Sequence, residues 1–268
     1  MTVVRDTAGA GSGRDDNGFE PGHRYPDMVD TILVPFELPD PEPVSDVLVE
    51  DLAPFTIVAM GHFQVPEQTP TDAAREQFGP EAQAELDEVA EPFREASPSV
   101  RTRLVFGKTR GDAINRVMLE EDCAAELDPA PTEGINRILV PIPASAEFTR
   151  LPEFIKVLCE ASTREITLFH VAEGDEPIKD GEMILAETHE GLTDAGIDGD
   201  LIDIRIVEGE SHDEKILEAA ADYDAVVMYD AASRIRDRLF GTLPDRIANR
   251  TGDPVIVVRR DYDAGERA

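Results

Sequence analysis

The sequence predicts an α/β protein built on a doubly wound parallel sheet, and three observations carry that reading. In the second half of the chain, five short apolar runs alternate with stretches whose apolar residues recur every three or four positions. Strict strand and helix alternation requires crossover connections, which make neighbouring strands parallel and place helices on both faces. The run "ILVP" at Ile32 to Pro35 returns at Ile138 to Pro141, and "VFGKTRGDAI" from Val105 resembles "VEGESHDEKI" from Val207, aligning Gly107 with Gly209 and Ile114 with Ile216. Two matches in the same order at nearly the same separation indicate two tandem repeats of about 100 residues, the size of one domain.

Residues 1–29 are rich in Gly and polar residues without an apolar period, so a disordered N-terminal tail is expected there, with Met28 as a candidate natural start. The first unit, residues 30–130, has strand-like runs at Thr31 to Phe36, Phe55 to Val65 and Val100 to Phe106, with helices starting near Val44, Asp72 and Asp112. One weak strand fits near Cys123 to Leu127, but no final helix and strand, so this unit reads as truncated. The second unit, residues 135–260, has strand-like runs at Ile138 to Ile142, Ile166 to Val171, Leu201 to Val207, Ala225 to Met228 and Pro254 to Val258. Residues 261–268 form a short tail. In such a sheet a ligand is expected at the carboxyl ends of the strands.

Composition narrows the partners. The chain has 57 Asp and Glu against 25 Lys and Arg, a formal net charge of −32, yet 41% of its residues are apolar and the acids are spread along its length. This is a folded, self-repelling surface rather than a disordered acidic tail. Only Lys108, Lys156, Lys179 and Lys215 are lysines and Trp is absent, a composition suited to a salty cytoplasm in which ions screen the repulsion. Nucleic acid is not expected as a partner, because its phosphates meet a repelling surface. Cys123 and Cys159 are too few and too far apart for a disulfide framework or a Cys-based metal site, which points to a reduced, intracellular protein. No apolar run approaches ~18 residues and no signal core opens the chain, so the expectation is a cytoplasmic protein without membrane insertion.

The residues carry a family resemblance. The two "ILVP" openings, "ITLFHV" (Ile166 to Val171), "VEGESHDEKILEAAADYDAVVMYD" (Val207 to Asp230) and "LFGTLPDRIANRTGDPVIVVRR" (Leu239 to Arg260) resemble a tandem universal stress protein of the haloarchaeal kind. The resemblance implies an adenine nucleotide alpha hydrolase-like fold and extends from about Asp30 to Arg260, strong in the second unit and partial in the first. ATP-binding members place an Asp after the "ILVP" strand, then Gly, two residues, Gly, nine residues, and Gly-Ser or Gly-Thr. Small residues there let backbone N–H groups approach phosphates, and a helix start adds partial positive charge. Here the Asp position holds Pro143 in the second unit and Glu37 in the first, and counting back from Gly241 the earlier glycine positions fall on Met228 and Ala231, or on Tyr229 and Ala232 with a shift of one. Only Gly241 and Thr242 match, so the ATP motif reads as degenerate and no cofactor is expected.

The candidate nucleotide- or anion-binding residues are Gly241, Thr242, Pro143, Val171, Met228, Arg234 and Arg238. Thr242-Leu243-Pro244-Asp245 fits a helix start, with Thr as N-cap, Pro in the first turn and Asp at N3; contact with a phosphate or sulfate is the alternative. Between Ser233 and Arg250 lie Arg234, Arg236, Arg238, Arg246 and Arg250 with two Asp. These either pair with surrounding acids or form an anion or acidic-partner site. His170 is expected in the core or at a sheet end, with His62 as its rough counterpart and His212 at a helix start; no metal set and no catalytic constellation stands out. The run Val255, Ile256, Val257, Val258 reads as an apolar edge strand, which in the resembled family mediates dimers, so a homodimer through it is expected.

The leading expectation is a non-enzymatic, dimeric binding or regulatory protein. One alternative is an ATP-binding switch with slow hydrolysis relying on Gly241, Thr242 and the Arg cluster, and another is a soluble accessory to a membrane transporter, which the resemblance also implies.

Overall fold

The computed structural model describes residues 30–97, 99–130, 132–143, 150–174, 177–229 and 242–259. The expected tails at 1–29 and 261–268, with Met28, lie outside the described residues, as do Gly241, Arg234, Arg236 and Arg238. In chain order the elements are β1 (Thr31–Leu38), α1 (Asp46–Asp51), β2 (Thr56–Gln64), α2 (Thr71–Ala96), β3 (Val100–Gly107), α3 (Arg110–Glu120), β4 (Ala125–Asp128) and β5 (Arg137–Pro141). They continue with α4 (Leu151–Leu158), β6 (Glu165–Glu173), α5 (Ile178–Asp194), β7 (Ile202–Gly209), α6 (His212–Ala220), β8 (Ala225–Tyr229), α7 (Leu243–Thr251) and β9 (Val255–Val258).

The nine strands among the described residues join one sheet in the order β3-β2-β1-β4-β9-β8-β5-β6-β7. Read outward from its "ILVP" strand, the second unit runs first-second-third on one side and first-fourth-fifth on the other. The first unit repeats this order and stops at its fourth strand, β4. The central strands are buried on both faces, which is why they read as continuous apolar runs. In β1, Ile32, Val34, Phe36 and Leu38 face a core under α1 and α2, while Leu33 faces the opposite core with Val58, Met60 and Val105 under α3.

The truncation sets up the join between the units. β4 pairs antiparallel with β9, Ala125 opposite Val258 and Asp128 opposite Val255, while β8 pairs parallel with the other side of β9. Val255 to Val258 is therefore an interior strand with both edges hydrogen-bonded, so it offers no free edge for the expected homodimer. The physical reason is β4 itself: though short, it offers β9 a strand partner from within the same chain.

Two further contacts cross the join. Asp51, the last residue of α1, pairs with Arg164 before β6, its Oδ1 accepting from Nη2 at 2.9 Å, and its Oδ2 accepts from the Ile135 backbone N–H at 2.8 Å. The Arg164 side chain is 0% exposed; its Nε donates to the Leu158 carbonyl at 2.8 Å and its Nη1 to the Ile135 carbonyl. Phe55 and Phe154 meet with ring centroids 5.1 Å apart, and one apolar core runs beneath both units on this face.

A buried charge that loses its counterion is costly, because water no longer solvates it. Asp51→Ala is expected to lower the unfolding free energy by about 3–5 kcal/mol, read from denaturant unfolding in concentrated KCl. The loss should appear in probes placed in either unit, since the pair belongs to both.

Candidate functional site

The strand order places a switch point beside each "ILVP" strand, where chain connections diverge and a crevice opens at the carboxyl ends. In the second unit it lies between β5 and β8. On β6, across β5 from that point, His170 is 1% exposed: its Nδ1 lies 2.8 Å from the Ile142 carbonyl, and a Cβ on Gly181 of α5 would come within 2.5 Å of its ring. His170 is thus a buried sheet-end residue that requires glycine on the helix opposite.

Of the candidate residues of this unit, the described ones, Pro143, Val171, Met228 and Thr242, do not converge on a ligand surface. Val171 and Met228 are buried in one apolar cluster with Leu139, Ile216 and Val255, so their side chains form core beneath the crevice. Pro143 follows β5 and is half-buried. Tyr229, beside Met228, accepts the Leu151 backbone N–H at 3.0 Å on its phenol oxygen and caps the start of α4.

Thr242 begins α7 in the way its sequence predicts. Asp245 Oδ2 accepts from the Thr242 N–H at 2.8 Å and from its hydroxyl at 2.7 Å, while Thr242 Oγ1 accepts from the Asp245 N–H at 3.3 Å. This reciprocal capping box satisfies helix-start donors and places a carboxylate at the positive end of the helix dipole. Those are the groups a phosphate would otherwise take. Arg246, on the same helix, pairs with Asp213 of α6 at 2.9 Å, as expected for an arginine neutralised by neighbouring acids.

The polar groups gather instead in the first unit. Strand register pairs Ile32 with Ile57 and Ile138 with Ile166, which makes Gly61 the positional equivalent of His170 and His62 the equivalent of Val171. His62 is therefore displaced by one residue from the counterpart expected of it, and since strand faces alternate, it lies on the opposite face, toward α3. Its side chain is 2% exposed; Nδ1 lies 3.4 Å from Glu37 Oε2, and Nε2 has no hydrogen-bond partner among the described residues. Glu37 Oε1 also lies 2.9 Å from Arg110 Nε, and Arg110 Nη2 reaches Asp128 Oδ1 at 3.5 Å. A line of polar side chains, His62, Glu37, Arg110 and Asp128, thus joins the ends of β1, β2 and β4 to the start of α3, where the second unit has Pro143, Val171 and His212. Burial pushes the Asp128 carboxyl above its ordinary pKa, against the opposing pull of Arg110. Counting on from Gly107 and Gly209 in the sequence aligns Arg110 with His212, the one signal from which this cluster could have been read.

Among the described residues no group of three or more His, Cys, Asp or Glu is placed to hold a metal ion, and no helix is long and apolar enough to cross a membrane. Neither cysteine is an activated nucleophile: burial pushes the Cys123 thiol up to about 12 and raises that of Cys159 as well. With both thiols held protonated, alkylation of the native protein at pH 8 should leave Cys123 unmodified and Cys159 slow, and both should react in denaturant, as followed by intact mass.

The universal stress protein family matches residues 134–259. A universal stress protein from Archaeoglobus fulgidus DSM 4304 superposes with a TM-score of 0.61 at 16% identity, covering 87% of this chain and 97% of its own, and so shares the fold across both units. A universal stress protein from Archaeoglobus fulgidus in complex with dAMP covers 46% of this chain and 97% of its own, at 16% identity and a TM-score of 0.35. The cytoplasmic domain of a prokaryotic cation chloride cotransporter covers 88% and 96%, at 11% identity and a TM-score of 0.46. A search of curated proteins finds no match. That family match runs from the segment entering β5 to the residue after β9, a little under half of the chain.

Proposed function

We propose that this chain is a non-enzymatic binding or regulatory protein of the universal stress type, and that the crevice of its second unit no longer takes a nucleoside triphosphate. The observation that carries this reading is the Asp245 carboxylate at the start of α7. A phosphate arriving at Thr242 has to displace a carboxylate held by two donors at 2.7 and 2.8 Å, and it meets repulsion from that charge while doing so. The motif supports the same reading: Pro143 stands where ATP-binding relatives have an Asp, and Met228 and Ala231 stand where they have the two earlier glycines.

The test is equilibrium binding of ATP and AMP, with Mg²⁺, to the purified chain in concentrated KCl. No saturable binding up to millimolar nucleotide is expected, and no nucleotide should be carried through purification. Saturable ATP binding abolished by Thr242→Val would replace this reading with that of a nucleotide-dependent switch.

A further inference from the structure

A groove of about 470 Å³ opens on the first unit, between the segment that follows β1 and the second half of α2. It exists because two neighbouring helices differ greatly in length: α1 has 6 residues and α2 has 26, so α1 leaves part of the α2 surface uncovered. Val49 and Phe93 form a buried floor, Val44 and Val89 are half-buried beside it, and three prolines complete the walls. The rim is acidic on both sides, with Asp40 facing Glu85 and Glu88. The Asp40 N–H donates to Glu85 Oε2 at 3.2 Å, which holds the two rims together at one end.

The rim acids differ from their neighbours on α2. Asp87 and Glu91 are both neutralised by Arg94, at 2.8 and 3.1 Å, whereas Asp40, Glu85 and Glu88 have no ion-pair partner among the described residues. An apolar floor under uncompensated carboxylates is complementary to a ligand that is aliphatic in the middle and cationic at its edges. A second copy of this chain is a poor occupant, since each carries a net charge of −32.

We propose that this groove docks a basic, amphipathic segment of another protein, which lays an aliphatic side chain on Val44, Val89 and the floor and sets Lys or Arg side chains against Asp40, Glu85 and Glu88. The acids select the sign of the partner and the apolar floor retains it, because exposed ion pairs weaken as salt rises while burial of apolar surface does not. This docking surface is independent of the nucleotide crevice.

The probe is the fluorescein-labelled peptide KLRKLVRRL, titrated with the full chain and followed by fluorescence anisotropy in about 0.5 M KCl, where the screening length is only a few ångströms. Saturable binding is expected, weakened by at least about tenfold in Val89→Asp and in Glu85→Gln/Glu88→Lys. The remote pair Glu187→Gln/Glu190→Lys, exposed on α5, should leave it unchanged. Because Val89 is half-buried, circular dichroism accompanies each variant, and Glu88→Lys alone at its exposed position supplies the readout if Val89→Asp fails to fold. Equal binding of a peptide with every Leu and Val replaced by Ser would overturn the proposal, by showing that net charge alone attracts the probe. Equal losses in the groove and α5 variants, or no saturable binding of the parent peptide, would overturn it as well.

Discussion

The antiparallel pairing of β4 with β9 is the contact on which most of the structure depends. A strand left at a sheet edge presents unpaired N–H and C=O groups, and a central, doubly apolar strand such as β9 is a poor edge. Four residues of β4 meet four of β9, and the match continues beyond them through the Arg259 N–H to the Ala124 carbonyl at 2.8 Å. Arg259 strengthens the same corner by donating its Nη1 to the carbonyls of Met118 and Cys123. Once the two strands are joined, the helices on one face of both units share a single apolar layer. Asp51 and Arg164 can then meet in its interior. The first unit stops short of a fifth strand without exposing β4, because β9 of the second unit occupies that place with reversed direction.

The two switch-point crevices have diverged within this common frame. In the second unit, the wall residues are apolar or internally hydrogen-bonded: Val171 and Met228 are core, Tyr229 caps α4, and Asp245 caps α7. In the first unit, Glu37, His62, Arg110 and Asp128 stand at the corresponding strand ends and turns. Apolar Val171 at the place of His62 shows that the sheet does not require histidine there. Its burial with one ring nitrogen held toward a carboxylate and the other without a described partner is a feature of the first unit alone.

Much of this fold was legible because buried parallel strands announce themselves as apolar runs and each is followed by a helical period. The nine strands fall within the predicted runs or within a few residues of their ends, and even β4 was visible as a weak strand near Cys123. Its pairing was not legible: nothing local in "AELD" shows that it lies antiparallel to a strand from the far end of the chain. Misplacing that contact turned an interior strand into a predicted edge. The ion pair was not read from the sequence, although an aspartate at a helix end, where the dipole disfavours a carboxylate, asks for a tertiary partner. Arg164, in the turn "STREI", carries no such mark. His62 was misplaced because a slip of one residue along a strand reverses the face, and sequence similarity between β2 and β6 is too weak to set the register.

The charge of the chain gives the buried contacts their particular importance. Arg94, Arg103 and Arg246 make ion pairs whose side chains are a third or more exposed, and pairs of this kind contribute about 0–1 kcal/mol and less as salt rises. At ~1 M salt the screening length falls to about 3 Å, so such pairs cannot be what holds two strongly acidic units together. Arg164 is different: its guanidinium is sealed from solvent, and its attraction to Asp51 is not reached by mobile ions. Salt high enough to screen the repulsion of a surface of −32 would also remove most of what exposed ion pairs contribute. Adhesion between the units is therefore left to strand hydrogen bonds, to the apolar layer through Phe55 and Phe154, and to one ion pair buried where salt does not penetrate.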